Sequence, residues 1–144
     1  MTDSHPILVA TVLDAPDARA LAEFYRRLLG GTYRAGDEPP PAGAPDPQGE
    51  DWLVLTTPGG ARLSFQQVAE MPPSTWPDAT VPQQLHLDMG VPSIPALAEQ
   101  HERALALGAR LLRDRSTDPD EPLHVYADPA GHPFCIFVTP SAAG

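Results

Sequence analysis

Cysteine is nearly missing from this sequence: Cys135 stands alone among 144 residues, which excludes an internal disulfide and suits a reducing compartment. Positive charge is scarce as well, with nine Lys and Arg against nineteen Asp and Glu and a formal charge of -10. No basic cluster offers a stripe for phosphates, so neither nucleic acid nor a membrane surface is expected as a partner. Apolar runs reach only a few residues, far short of the ~20 needed to cross a bilayer, and no transmembrane span is expected. Residues 1–10 carry neither a basic segment nor a long apolar one, so the reading is of a cytoplasmic chain without a secretion signal. What is left fits one domain, long enough to bury roughly two-thirds of the surface its unfolded form would expose.

What is present is a succession of short elements. Residues 7–13 form an apolar, β-branched run that predicts a strand, and Pro16-Asp17 then supplies a helix N-cap. Leu21, Phe24, Tyr25, Leu28 and Leu29 recur at helical spacing, and Gly30-Gly31 closes that helix where positive φ is wanted. A strand at 32–34 precedes residues 36–49, crowded with proline and without periodicity, which read as a mobile loop. Strands at 52–57 and 62–68 are joined through Pro58-Gly59-Gly60, a turn of hairpin type. Residues 70–82, again rich in proline, have the composition of a linker.

The order then repeats. Residues 84–89 predict a strand, Ser93 an N-cap, and Leu97, His101, Ala104 and Leu105 a helix stripe ending at Gly108. Strands at 109–114, 123–128 and 133–139 follow, the last two joined through Pro129-Ala130-Gly131. Pro16 and Pro92 lie 76 positions apart, as do Leu21 and Leu97, Ala22 and Ala98, and Glu23 and Glu99, while the two Pro-x-Gly turns lie 71 apart. The chain is therefore read as one α+β domain of two tandem βαβββ modules, about 7–69 and 83–140, packed so as to enclose a pocket where they meet.

With these residues in hand the sequence resembles the vicinal oxygen chelate superfamily of glyoxalase I, bleomycin-resistance proteins and extradiol dioxygenases, and within it the glyoxalase-like members. The match is carried by Leu13-Asp14-Ala15-Pro16-Asp17 leading into 24–30, by 83–88, by 106–109 and by 126–135. The resemblance implies a cup-shaped mixed sheet, a homodimer, and, in metal-dependent members, a divalent cation such as Zn, Ni, Mn or Fe at its centre. Carried over by motif, the ligand positions are Ala10, Ser64 or Gln66, His86 and Cys135. Ala10 donates nothing, and one His with a neutral Gln or Ser and a thiol is a poor set for a hard cation. The expectation is therefore no metal; if one is bound, His86, Gln66 and Cys135 hold it.

Candidate ligand contacts follow from strand faces. Gln84, His86 and Asp88 alternate with Leu85 and Leu87, which turns one polar face toward the cavity. His86 is the one candidate for a catalytic role, set against a histidine satisfied by a polar neighbour. Cys135 and Phe137 share a face, with a small buried hydrophobe as the plainer reading of the cysteine. Gln66 shares one with Ser64, and Trp52, Trp76, Tyr33 and Tyr126 supply flat surface for an aromatic guest. Trp76 lies in the proline-rich connector, where it can close over a cavity mouth, whereas Asp128 and His132 serve a turn. The function expected is metal-independent binding of a small molecule, an antibiotic or another aromatic natural product. The alternative is a metal-dependent lyase, isomerase or dioxygenase acting on vicinal oxygens, with a metal-free enzyme using His86 as acid or base behind it.

Overall fold

The computed structural model describes residues 4–139 and follows the repeat element by element. The first unit, Met1–Ala69, runs β1 (Thr11–Ala15), α1 (Ala18–Leu29), β2 (Thr32–Tyr33), β3 (Trp52–Thr56) and β4 (Arg62–Gln67). The second, Glu70–Gly144, runs β5 (Leu87–Val91), α2 (Ile94–Leu107), β6 (Arg110–Arg115), β7 (Leu123–Ala127) and β8 (Pro133–Val138). Each builds a four-stranded mixed sheet, in the orders β1-β4-β3-β2 and β5-β8-β7-β6. In both, the first pair is parallel and the others antiparallel. β1 and β5 lie 76 positions apart at both ends, and β3 and β7, like β4 and β8, lie 71 apart. The fold is α+β with two tandem βαβββ modules, and among the described residues no helix is long and apolar enough to cross a membrane.

Local chemistry sets the helix ends. The Asp17 carboxylate accepts the Ala20 N–H and the Ser93 hydroxyl accepts the Ala96 N–H, at equivalent places in the repeat. α1 buries Ala18, Leu21, Ala22, Phe24, Tyr25 and Leu28, the larger of these contributing roughly 1.5–3 kcal/mol each by area. α2 buries only Leu97 and Ala104. Leu105, placed in the stripe by spacing, is 39% exposed, because it lies ~100° around the helix from Ala104 and outside the narrow band that faces the sheet.

Four boundaries and segments differ from the sequence expectation. The first strand starts at Thr11, not at residue 7, because its partner β4 begins at Arg62 and leaves Ile7, Leu8 and Val9 without an edge to pair with. β5 covers 87–91 instead of 84–89: its ladder opens at Leu87 opposite Phe134, and the preceding place on β8 is Pro133, which has no N–H to give. His86 therefore stands just before the strand. Residues 36–49 form no helix or strand but are pinned rather than loose. Arg19 reaches Asp46 (Nε to Oδ2, 2.8 Å) and the Asp37 carbonyl, while the buried Asp37 carboxylate accepts the Val54 N–H at 2.8 Å and pairs with Arg34 at 3.1 Å. Residues 70–82 belong to the second unit: Pro73 packs on Gly131, and Thr75 and Val81 bond across the segment, N–H to carbonyl, at 2.8 Å.

Candidate ligand site

The second unit holds a cavity of about 210 Å³ on the face of its sheet opposite α2, lined by Trp76, His86, Val125 and Cys135 with Gln83, Arg113, Arg115, Leu123 and Pro133. Strand register builds it. Asp88 stands opposite Cys135, Cys135 opposite Val125, and Val125 opposite Arg113, so one row crosses all four strands on a single face. Leu123, Val125 and Pro133 make the floor. Trp76, from the proline-rich segment, forms a wall, with the Arg113 guanidinium 5.4 Å from its ring centre. Packing in that segment is tight, since Gly131 has φ +98° and a Cβ there would lie 2.3 Å from the Cβ of Pro73.

His86 Nε2 lies 3.3 Å from Asp88 Oδ1, and His86, Asp88 and Cys135 bring one nitrogen, one oxygen and one sulfur within 4.8 Å of one another. The acid beside His86 is thus two residues along the chain, on the same face. Burial, with the Asp88 carboxylate beside it, pushes the Cys135 thiol up to about 11, so at neutral pH it is a thiol and not a thiolate. A tetrahedral zinc ion wants its donors ~3.3–3.8 Å apart at bond lengths of about 2.0–2.3 Å. The three groups fit zinc in donor type after small side-chain shifts, and binding would have to displace the thiol proton.

The other predicted contacts are distributed differently. Trp52 lines a shallower depression of about 410 Å³ in the first unit, together with Ala10, Val12, Val54 and Ser64. Gln66 is exposed on β4 opposite Trp52 and Asp14, outside either cavity lining. Phe137 shares the face of Cys135 but is paired with Leu123 and Gly90, beyond the lining. Tyr126 is fully buried and faces away from the cavity, stacked on Phe134 at 5.0 Å with its hydroxyl 2.8 Å from His101 Nδ1. It is a core residue because its place in β7 is one off from Val125, and alternation turns it to the helix side. Tyr33 is likewise buried, its hydroxyl donating to Glu23 at 2.8 Å. Asp128 accepts the Ala130 and His132 N–H groups and holds the His132 ring, serving the turn.

On the helix side of the second sheet, the rings of His101 and His124 stack at 4.2 Å, and His124 Nε2 lies 3.3 Å from Asp114 Oδ1. His124 is buried, and its Nδ1 has no partner among the described residues. Burial, then the neighbouring His101, lowers its pKa against the opposing pull of Asp114. Sequence reasoning did not single out this pair, nor Arg113 and Arg115. The signal for the arginines is Leu111-Leu112, two adjacent leucines that break alternation just ahead of Arg-x-Arg.

Comparison with known proteins agrees with this architecture. The family model described as glyoxalase-like domain matches residues 10–137. A glyoxalase/bleomycin resistance protein/dioxygenase family enzyme from Burkholderia phytofirmans PsJN is similar over 90% of this chain and 96% of its own, with a TM-score of 0.66 at 18% identity. The fosfomycin resistance protein FosX from Listeria monocytogenes is similar over 94% and 95%, with a TM-score of 0.67 at 13% identity. A glyoxalase-related enzyme from Fulvimarina pelagi is similar over 93% and 88%, with a TM-score of 0.63 at 23% identity. No curated protein matches the chain significantly. At these identities the solved structures speak to the fold, and the match over nearly the whole length speaks to the family: the chain belongs to the glyoxalase-like domain family.

Proposed function

We propose that this protein binds a small aromatic molecule in the cavity of its second unit without a metal, as a sequestering protein for an antibiotic or related natural product. The observation that carries the reading is the lining: an apolar floor of Leu123, Val125 and Pro133, an indole wall, and Cys135 held as a thiol. At about 210 Å³ the cavity is smaller than the ~300–1,000 Å³ usual for drug-sized ligands, so it takes a small ring system or one end of a larger molecule. The test is fluorescence titration of metal-stripped Trp52→Phe protein, in which Trp76 is the remaining indole, against a panel of aromatic compounds that includes aromatic antibiotics. Saturable quenching that Val125→Phe abolishes by filling the cavity is the expected result. A panel that never quenches in the metal-stripped protein but does so after zinc is added would overturn metal independence.

A second reading is favoured by the meeting of His86, Asp88 and Cys135. These residues would hold zinc, which when bound would polarise a substrate oxygen for a lyase or isomerase reaction. Near-stoichiometric zinc in protein purified without chelator, lost together in His86→Ala and Cys135→Ser, puts this reading first. We further propose a homodimer, supported by the exposed apolar strip Ile7, Leu8 and Val9 (85%, 90% and 62% exposed). Native mass spectrometry showing only the 15.4 kDa monomer counts against it.

A further inference from the structure

A β-bulge decides what charge faces the second unit's cavity. β6 pairs Arg110 with Ala127 and Leu111 with Tyr126, then skips Leu112, so that Arg113 stands opposite Val125 and Arg115 opposite Leu123. Side chains alternate along a strand, so an unbroken ladder would set Leu112 opposite Val125 and turn Arg113 to the His124 side. The one extra residue re-aims both guanidiniums onto the face that carries Val125, Cys135 and Asp88.

The two arginines are not equivalent. Arg115 is held by Asp118 at 2.7 Å, whereas Arg113 has no carboxylate within ion-pair distance among the described residues. Arg62 and Arg110 share this among the described residues, and what sets Arg113 apart is its place at this cavity's wall. Lying over the Trp76 ring, the guanidinium leaves the N–H donors at its edge free, and that planar fork matches an oxyanion in a bidentate pair. At the far end of the same row, three strand spacings or roughly 14 Å across the sheet, stand Asp88 and His86. A negative group is repelled there and drawn toward β6, so the row has a direction.

Resting on the reading that this cavity binds a small molecule, we infer that its ligand carries an oxyanion. A carboxylate or a phosphate-type group is taken by Arg113 with Arg115 beside it, and the flat apolar body lies on Leu123, Val125 and Pro133. The probes are benzoate, phenyl phosphate and the neutral benzamide, titrated into the uniformly ¹⁵N-labelled full chain and followed by amide shifts of Val125, Cys135 and Arg113. Benzoate or phenyl phosphate is expected to bind at least about tenfold more tightly than benzamide, and whichever anion is tighter identifies the class. Arg113→Gln should erase the preference of both anions over benzamide, lowering the anions by at least about tenfold relative to the amide. Arg113 is exposed on an edge strand, so the variant should fold, and the wild-type comparison of acid with amide needs no variant. Equal binding of benzoate and benzamide, insensitive to Arg113→Gln, overturns the oxyanion and leaves the cavity reading standing. No shift at the lining residues with any of the three probes overturns both.

Discussion

Gly60 and Gly131 occupy the same place in the two modules, 71 positions apart in the β3–β4 and β7–β8 turns, and both have positive φ, +92° and +98°. Alanine at either position strains the backbone by about 1–2 kcal/mol, offset by the roughly 0.4–1 kcal/mol that alanine gains by restricting the unfolded chain. Gly60→Ala should therefore cost about 1 kcal/mol, since nothing lies within 4 Å of its added Cβ. Gly131→Ala meets Pro73, whose Cβ would stand at 2.3 Å and whose Cα at 3.0 Å. Overpacking of that kind adds ~1–3 kcal/mol, giving about 2–4 kcal/mol in all. Urea unfolding followed by circular dichroism measures the difference, and Pro73→Gly, by removing the obstructing Cβ, should cancel most of it in a double-mutant cycle. Equal losses at Gly60 and Gly131 would refute the packing of the proline-rich segment on the turn. That packing also fixes Trp76 three residues on, so Gly131→Ala should weaken ligand binding where Gly60→Ala does not.

Three further outcomes follow from buried polar groups. Asp37→Ala should cost ~1–3 kcal/mol in thermal or urea unfolding by leaving the Val54 N–H without its acceptor, with Asp37→Asn recovering part; a change near zero would contradict the pinned loop. Alkylation of Cys135 by iodoacetamide should be slow at pH 7 and rise through pH 9–11, because burial foremost and Asp88 next hold the thiol up at about 11. Asp88→Asn should advance that rise only modestly, and a rate profile levelling near pH 8.5 would show the thiol unperturbed. His124 titrates below the ordinary histidine value when folded, chiefly through burial, so the unfolded chain takes up the proton first. The stability tied to it is whole above pH ~6.5 and falls as pH drops toward the lowered folded value. His124→Phe should flatten the stability profile between pH 7 and 5, and a slope that persists in the variant would place the titration elsewhere.

The fold was legible because its determinants are local and occur twice. Capping residues Asp17 and Ser93, the closing glycines Gly30 and Gly108, and the paired Pro-x-Gly turns set element ends within a residue or two, and the offsets of 76 and 71 match the strands at both termini. Strand starts at 7 and 84 misled because apolar alternation reports a face and not a partner. Whether residue 7 or 86 joins a ladder depends on where β4 and β8 begin, about fifty residues away. Low periodicity at 36–49 and 70–82 correctly excluded regular structure. It said nothing of Arg19, Asp37 and Asp46, whose pairing fixes the first segment, or of Gly131, which seats the second.

The site was legible by halves for the same reason. His86 and Cys135 were reached through resemblance and Trp76 through its place in a connector, and all three line one cavity. Tyr126 went the other way, since composition marks an aromatic ring but only register tells that Val125 and not Tyr126 shares a row with Cys135. Arg113 is the most instructive residue. Strict alternation from Arg110 assigns Arg113 to the face of Leu111, with Tyr126 and His124, the place that Asp114 takes instead, its carboxylate 3.3 Å from His124 Nε2. The alternative is to lose one ladder position at Leu112 and return the cation to the open face. Sheet pairing at an edge strand gives up little at a bulge, and the shift sets an acid rather than a cation beside His124 and His101, so the bulge is the outcome electrostatics favours. A pair of leucines followed by Arg-x-Arg in a predicted edge strand is thus a readable sign that the arginines, not the leucines, face the site.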